Sequence, residues 1–253
     1  MEEAARNLRY AAFHELLAEG HADAVLTAHT LDDQAETVLM KLLRGAWTDG
    51  LSAIHPILAP TKTTGRILRP LLATRRAEIE AYLRALDQPW RTDSSNASLE
   101  PTRNRLRHEL LPTLRGYNPN IDLALANMAE LAREEESRWQ AELARLLPQI
   151  LLPGKPVRGG GRAVATTPGQ NSLAIEIERL RAFDPALRRR VLRAAARHLR
   201  ARLSFEETGR LLALCGLSSH PTVTTRVGAT LQLSRYLRAE RSARELRLSR
   251  ETP

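Results

Sequence analysis

Apolar positions in the first third of the chain switch repeatedly between helical and strand spacing. Ala5, Leu8, Ala12, Phe13, Leu16 and Leu17 recur at intervals of three and four, which predicts a helix from about Glu2 to Glu19 with those side chains on its inner face. Gly20 stands where such a helix ends. Ala24-Val25-Leu26-Thr27-Ala28 is a short apolar run of buried-strand type, and His29 follows at its carboxyl end. Helical spacing returns from Thr30 to Arg44 through Val38, Leu39, Leu42 and Leu43, with Asp32 and Asp33 at the amino end and Gly45 as the stop. Helix, strand, helix in this order predicts a parallel α/β sheet. Asp49-Gly50 reads as a turn and Gly65 to Pro70 as another short strand. Thr74 is the expected cap of a helix reaching about Leu86, with Ile79, Tyr82, Leu83 and Leu86 inward.

Trp90 reads as a core residue, and the polar stretch Thr92-Asp93-Ser94-Ser95-Asn96 follows it. A basic helix is expected around Arg103 to Arg115, then a long helix from about Ile121 to Leu147. Residues 153–172 hold five glycines and three prolines, which marks a loop or linker. Asp184-Pro185 opens a helix ending near Arg202, and Ser204 with Glu207 fits a capping box for the next. Thr222 to Leu233 is β-rich. The pattern divides the chain into residues 1–120, an α/β domain; 121–178, a linker helix and Gly/Pro-rich loop; and 179–253, a small α+β domain.

Charge sharpens this division. Of 253 residues, 38 are basic and 29 acidic, for a net of +9; only Lys41, Lys62 and Lys155 are lysines. Residues 179–253 carry 17 Arg against six acids (Asp184, Glu206, Glu207, Glu240, Glu245 and Glu251), a net of +11, while residues 1–178 sum to −2. A GC-rich genome explains Arg over Lys but not the uneven sign, and a phosphate-rich partner is the usual reason for such a module. Cys215 is the one cysteine, so an internal disulfide, a Cys-rich zinc site and a thiol redox pair are excluded. No apolar run approaches the roughly 18–20 residues of a membrane span, and the acidic, amphipathic amino end lacks signal-peptide character. These features predict a cytoplasmic protein with no membrane association.

The stretch His29-Thr30-Leu31-Asp32-Asp33-Gln34-Ala35-Glu36-Thr37 carries the candidate chemistry. Ligands of open α/β folds bind at the carboxyl ends of strands. Asp33 and Glu36, three apart on a helix, share one face and can converge on one cation. The plain alternative is that Asp32 and Asp33 complement the helix dipole, worth about 0.3–1 kcal/mol, and that His29 is a turn histidine. Gly159-Gly160-Gly161 resembles a phosphate loop only superficially, since no strand–loop–helix frame and no Gly-Lys-Ser/Thr accompanies it.

As a series, Ala5-Arg6-x-x-Arg9-Tyr10, Thr27 to Thr37, Arg44-Gly45, Gly50-Leu51, Arg69-Pro70-Leu71-Leu72, Trp90, Asp93-x-x-Asn96, Arg103-Asn104-x-x-Arg107 and Pro112 resemble the catalytic domain of the tRNA(Ile)-lysidine synthetase family over about residues 4–120. Residues 180–253 are more loosely similar to that family's small tRNA-contacting domain. The resemblance implies an incomplete parallel-sheet PP-loop (Rossmann-like) domain followed by a linker helix and a small α+β domain. It implies a ligase that uses ATP and Mg2+ to adenylate the wobble cytidine of tRNA(Ile) with a CAU anticodon, after which the ε-amine of L-lysine displaces AMP. Asp33 and Glu36 would hold and deprotonate the lysine ammonium. Arg9 and Arg103, with Arg107 as a further candidate, would balance the triphosphate charge. His29 and Asp32 would order the site or the nucleotide's metal, and no direct protein metal site is expected.

The chain departs from the family pattern in one respect. Ser-Gly-Gly-x-Asp-Ser, whose amides cradle pyrophosphate in the family, does not occur in these 253 residues. The expectation is therefore that this polypeptide alone binds ATP poorly and is inactive. Two other readings stay open: a non-catalytic tRNA-binding relative, and a PP-loop tRNA sulfurtransferase. The lone Cys215 disfavours the second, which would need paired cysteines.

Overall fold

A computed structural model describes residues 2–59, 65–91, 102–153 and 171–250. Contacts divide the chain into two compact units, Met1–Arg138 and Trp139–Pro253. The Asp93-x-x-Asn96 motif and the 159–161 glycines lie outside the described residues.

The first unit opens with α1 (Glu2–Ala18), closed by Gly20 at φ +72°, then β1 (Ala24–Leu26) and α2 (Leu31–Leu43). α3 (Thr48–Leu51) occupies the place expected for a turn, its amides bonded back to Trp47 and Thr48 carbonyls. β2 (Ile57–Leu58) and β3 (Arg66–Leu68) follow. β3 is central: it pairs parallel with β1, Val25 opposite Ile67, and antiparallel with β2. Gly65 leads into β3 so close to α1 that a Cβ there would lie 2.6 Å from Leu17 Cδ2 and 3.3 Å from the Asp23 carbonyl. Only glycine admits that approach.

α4 (Arg76–Ala85) is capped at Arg75 by Glu78, one residue beyond the expected Thr74. After residue 101 the backbone forms α5 (Thr102–Arg105), a π-helical turn (Leu106–Leu110) and α6 (Leu111–Tyr117), then α7 (Ile121–Ile150). The core of this unit joins Ala35, Val38 and Leu39 of α2 to Leu106 and Leu111, and to Leu125 and Ala129 of α7. Full burial of such side chains stabilises by roughly 1.5–3 kcal/mol each. The core thus clamps α2 against the segment that carries Arg103 and Arg107.

Several apolar residues expected inside are exposed. Among the described residues of α1 only Leu17 is buried; Leu8 is 74% exposed, because strands of two or three residues offer apolar surface to a single turn of that helix. Leu26 is exposed because β1 is an edge strand of the described sheet. Tyr82 and Leu86 of α4 face solvent, leaving Ile79 and Leu83 partly covered. Trp90 is not a core residue: it is 42% exposed, with the Arg84 guanidinium over its ring at 6.0 Å.

The second unit is built on a five-stranded antiparallel sheet in the order β4-β5-β8-β7-β6, with β4 Leu151–Pro153, β5 Ser172–Glu176, β6 Thr230–Leu233, β7 Leu237–Arg241 and β8 Glu245–Arg250. β5 falls in the stretch the sequence assigns to a linker. Its Leu173 and Ile175 are fully buried opposite Leu248 and Leu246 of β8. α8 (Ile177–Arg181), α9 (Pro185–His198) and α10 (Phe205–Leu214) supply the helices. Asp184 caps α9 by accepting from the Ala186 and Leu187 amides. The Ser204–Glu207 capping box of α10 forms as its residues require. Of Thr222 to Leu233, only Thr230 to Leu233 becomes a strand.

Candidate active site

The site is built from the amino end of α2. Thr30 is its N-cap, at φ −108° and ψ 174°, and accepts from the Asp33 amide, while Asp33 Oδ2 accepts from the Thr30 amide at 2.9 Å and from its hydroxyl at 3.0 Å. A capping box of this kind satisfies two helix-end donors and fixes the carboxylate's rotamer. Asp33 therefore turns only Oδ1 away from the helix. Glu36, one turn on, is buried, with its side chain 1% exposed.

Two arginines from a remote part of the chain meet these carboxylates. Arg103 Nη2 donates to Asp33 Oδ1 at 2.8 Å and its Nε to Glu36 Oε2 at 2.7 Å, so one guanidinium bridges both acids. Arg107 grips Glu36 through Nε to Oε1 at 2.6 Å and Nη2 to Oε2 at 3.0 Å, and lies 3.8 Å from Asp33 Oδ1. Hydrogen bonding to Glu36 raises the Arg107 pKa, against the opposing effect of burial. Charge-assisted pairs of this geometry are the strong class of hydrogen bond. The π-helical turn after Arg105 alters the helical phase between the two arginines, a feature often found at functional positions.

A second charge chain runs alongside. Asp32 Oδ2 accepts from the Arg76 amide at 2.8 Å, and its Oδ1 lies 3.8 Å from Arg115. Arg115 in turn makes a bidentate pair, 2.8 and 2.9 Å, with the fully buried Asp122, which also faces Arg75 at 3.6 Å. This network ties the start of α4, the end of α6 and the start of α7 to Asp32.

His29 is half-buried at the carboxyl end of β1, where its Nδ1 lies 3.0 Å from Thr27 Oγ1. Burial lowers its pKa from 6.5, and the cations of Arg69, Arg103 and Arg6 push the same way against the opposing charge of Asp33. The balance favours the neutral imidazole. Arg69 is buried at the end of β3, donating to the Tyr10 hydroxyl at 2.7 Å and to the His55 carbonyl.

Of the sequence-predicted residues, Asp33, Glu36, Arg103 and Arg107 form one contact network, with His29 in the field of Asp33 and Arg103. Asp32 joins the neighbouring network through Arg115. Arg9 is exposed on α1 and makes no ion pair with these groups. Sequence reasoning noted Tyr10, Thr27 and Arg69 as motif residues but gave them no role in the site, and it passed over Arg115 and Asp122. The available signal for Arg69 was its place at the carboxyl end of a second parallel strand, the edge already chosen for His29.

Among the described residues no three His, Cys, Asp or Glu side chains converge to hold a metal ion, and no helix is long and apolar enough to cross a membrane. Chemically, the network sets proton-accepting carboxylates beside guanidiniums suited to phosphate.

Comparison with known proteins fits this geometry. Residues 1–114 match the family model of the PP-loop domain. The chain is 40% identical to the tRNA(Ile)-lysidine synthase of Solibacter usitatus over 223 residues, covering 88% of the chain and 46% of that protein. It is 40% identical to the Geobacter sulfurreducens enzyme of the same name, over 88% of the chain and 44% of the relative, and 43% identical to that of Deinococcus radiodurans, over 73% and 30%. The chain thus spans less than half the length of these relatives. With the capped carboxylate pair lying inside the matched segment, residues 1–114 are a PP-loop domain, and the chain is a homologue of the tRNA(Ile)-lysidine synthases.

Proposed function

We propose that this chain serves ATP-dependent ligation of L-lysine to the wobble cytidine of tRNA(Ile) with a CAU anticodon, in the cytoplasm. The observation that carries the reading is the convergence of Asp33 and Glu36 with Arg103 and Arg107, inside the segment that matches the PP-loop domain. In the first step the cytidine carbonyl oxygen attacks the α-phosphate of ATP and pyrophosphate leaves. In the second the neutral ε-amine of lysine attacks the activated carbon and AMP departs with the electron pair.

Arginines suit the first step because their forked donors match phosphate oxygens. Arg103, the more exposed of the pair, turns from Asp33 to the phosphates, and Arg107 stays on Glu36. Asp33 Oδ1, released from Arg103, then takes the lysine ammonium and accepts its proton, since only the free amine is nucleophilic. Arg9, exposed on α1, is a further contact for the phosphates. Mg2+ typically binds through one or two carboxylates together with substrate phosphates. Asp32, about a quarter exposed and facing Arg115 only at 3.8 Å, is the carboxylate best suited to that role. The ion would neutralise phosphate charge during pyrophosphate release.

A second reading has its own support. Every acid at the site has a cationic neighbour, and the second module carries +11, which suits a tRNA-binding relative without turnover. One experiment separates the two. Radiolabelled L-lysine, ATP, Mg2+ and a tRNA(Ile) transcript are incubated with the chain as it stands, and with the chain fused to a segment bearing the family's Ser-Gly-Gly-x-Asp-Ser loop. Lysine incorporation by the fusion that falls roughly 10²-fold in Asp33→Ala supports the ligase. tRNA binding with no incorporation by the folded fusion overturns it and leaves the binding reading.

A further inference from the structure

Arg69 is the one buried cation among the described residues of the first unit. It is 5% exposed, yet no carboxylate pairs with it among the described residues. Its two terminal nitrogens donate to neutral acceptors, the Tyr10 hydroxyl and the His55 carbonyl, and its buried Nε has no hydrogen-bond partner among the described residues. Buried charge is ordinarily neutralised by a counter-charge, as Arg115 neutralises the buried Asp122. Among the described residues no such counter-charge reaches Arg69.

The surroundings are suited to receive one. Arg6 stacks over the same Tyr10 ring, its guanidinium carbon 5.5 Å from the centroid, so two cations from α1 and the end of β3 share one phenol. The Tyr10 hydroxyl accepts from Arg69 and keeps its own proton to donate. His29 feels the charge of Arg69 and Arg6, both of which disfavour its protonation. Asp33 and Glu36 do not neutralise this corner, being already held by Arg103 and Arg107.

We propose that Arg69, Tyr10 and Arg6 form an anion subsite that takes a carboxylate or phosphate group of a substrate. The choice of substrates rests on the ligase reading above. The anion is either the α-carboxylate of the amino acid, whose ammonium end would then reach toward Asp33, or a phosphate of the nucleotide.

The test is calorimetric titration of the full 253-residue chain with sodium pyrophosphate, with L-lysine, and with 1,5-diaminopentane, which is lysine without its carboxylate. The variants are Arg69→Lys, Tyr10→Phe and Arg6→Gln. The last is an exposed change on α1, so it decides the matter should Arg69→Lys fail to fold. A phosphate source predicts pyrophosphate binding weakened at least about tenfold by Arg6→Gln, with L-lysine unaffected. A carboxylate source predicts L-lysine binding reduced to the level of 1,5-diaminopentane in Arg6→Gln and Tyr10→Phe, with pyrophosphate unaffected. Folded variants that bind both probes like the parent, or a parent that binds neither, overturn the subsite. Lysine incorporation failing while pyrophosphate binding still depends on Arg6 would overturn the ligase reading and leave the subsite standing.

Discussion

Glu36→Gln is the most informative single change in the first unit. Glu36 accepts three charge-assisted hydrogen bonds, from Arg103 Nε and from Arg107 Nε and Nη2. The amide keeps the shape but loses the charge, and its NH2 group must face a guanidinium that also donates. Removing one partner of a fully buried ion pair costs about 3–5 kcal/mol. Arg103 and Arg107 are 28% and 24% exposed and recover part of their hydration, which brings the expected loss to about 2–3 kcal/mol. Native-state hydrogen exchange of the α2 amides reads this directly. At about 1.4 kcal/mol per tenfold, those amides should exchange roughly 30- to 140-fold faster. Adding Arg103→Ala and Arg107→Ala to Glu36→Gln should recover at least about 1 kcal/mol, because the stranded cations go with them. Exchange accelerated less than about threefold, or strictly additive losses, would refute the claim that these groups form one interdependent network.

The remaining predictions concern both units. Burial pushes the Glu207 carboxyl up, but hydrogen bonds from Ser204 and Ser234 outweigh it and hold the pKa at about 2, against 4.5 ordinarily. Its contribution to stability is therefore complete above about pH 4.5 and lost as the pH falls toward 2, so Glu207→Gln should flatten that acid limb in a denaturation series. Arginines 235 to 250 differ in exposure, so the proposed tRNA contact should not use them alike. Arg235, Arg238 and Arg244 are exposed, whereas Arg241 donates to the Leu214 carbonyl at 2.8 Å and is partly buried. Arg235→Ala and Arg244→Ala should weaken tRNA binding and reduce its salt slope by about one each, while Arg241→Ala should chiefly lower the melting temperature. Gly65→Ala should destabilise the first unit by about 1–3 kcal/mol in urea denaturation, because the new methyl collides with Leu17 and the Asp23 carbonyl.

Local signals in the chain were sufficient for α2, for the Asp184 and Ser204 caps, and for short strands within 24–28 and 65–70, since these depend on neighbours within four residues. The same local reading marked Asp33 and Glu36 as a pair, because helix geometry alone puts residues three apart on one face. Periodicity failed where burial depends on a partner surface: the apolar stripe of α1 and the outer side of α4 find little to cover them, and Trp90 stays at the surface.

What the chain could not reveal by itself is what each charged group faces. Arg103 and Arg107 lie about seventy residues from Glu36, and only the packing of Leu106 and Leu111 against α2 brings them to it. Spacing identified the carboxylates, but tertiary structure decided that they are paired with arginines rather than open, and that Arg69 meets no counter-charge among the described residues. The reason is physical. Helix and strand formation are fixed by short-range sterics and hydrogen bonds, whereas the state of an ionisable group is fixed by desolvation and by charges within a few ångströms, wherever in the sequence they originate.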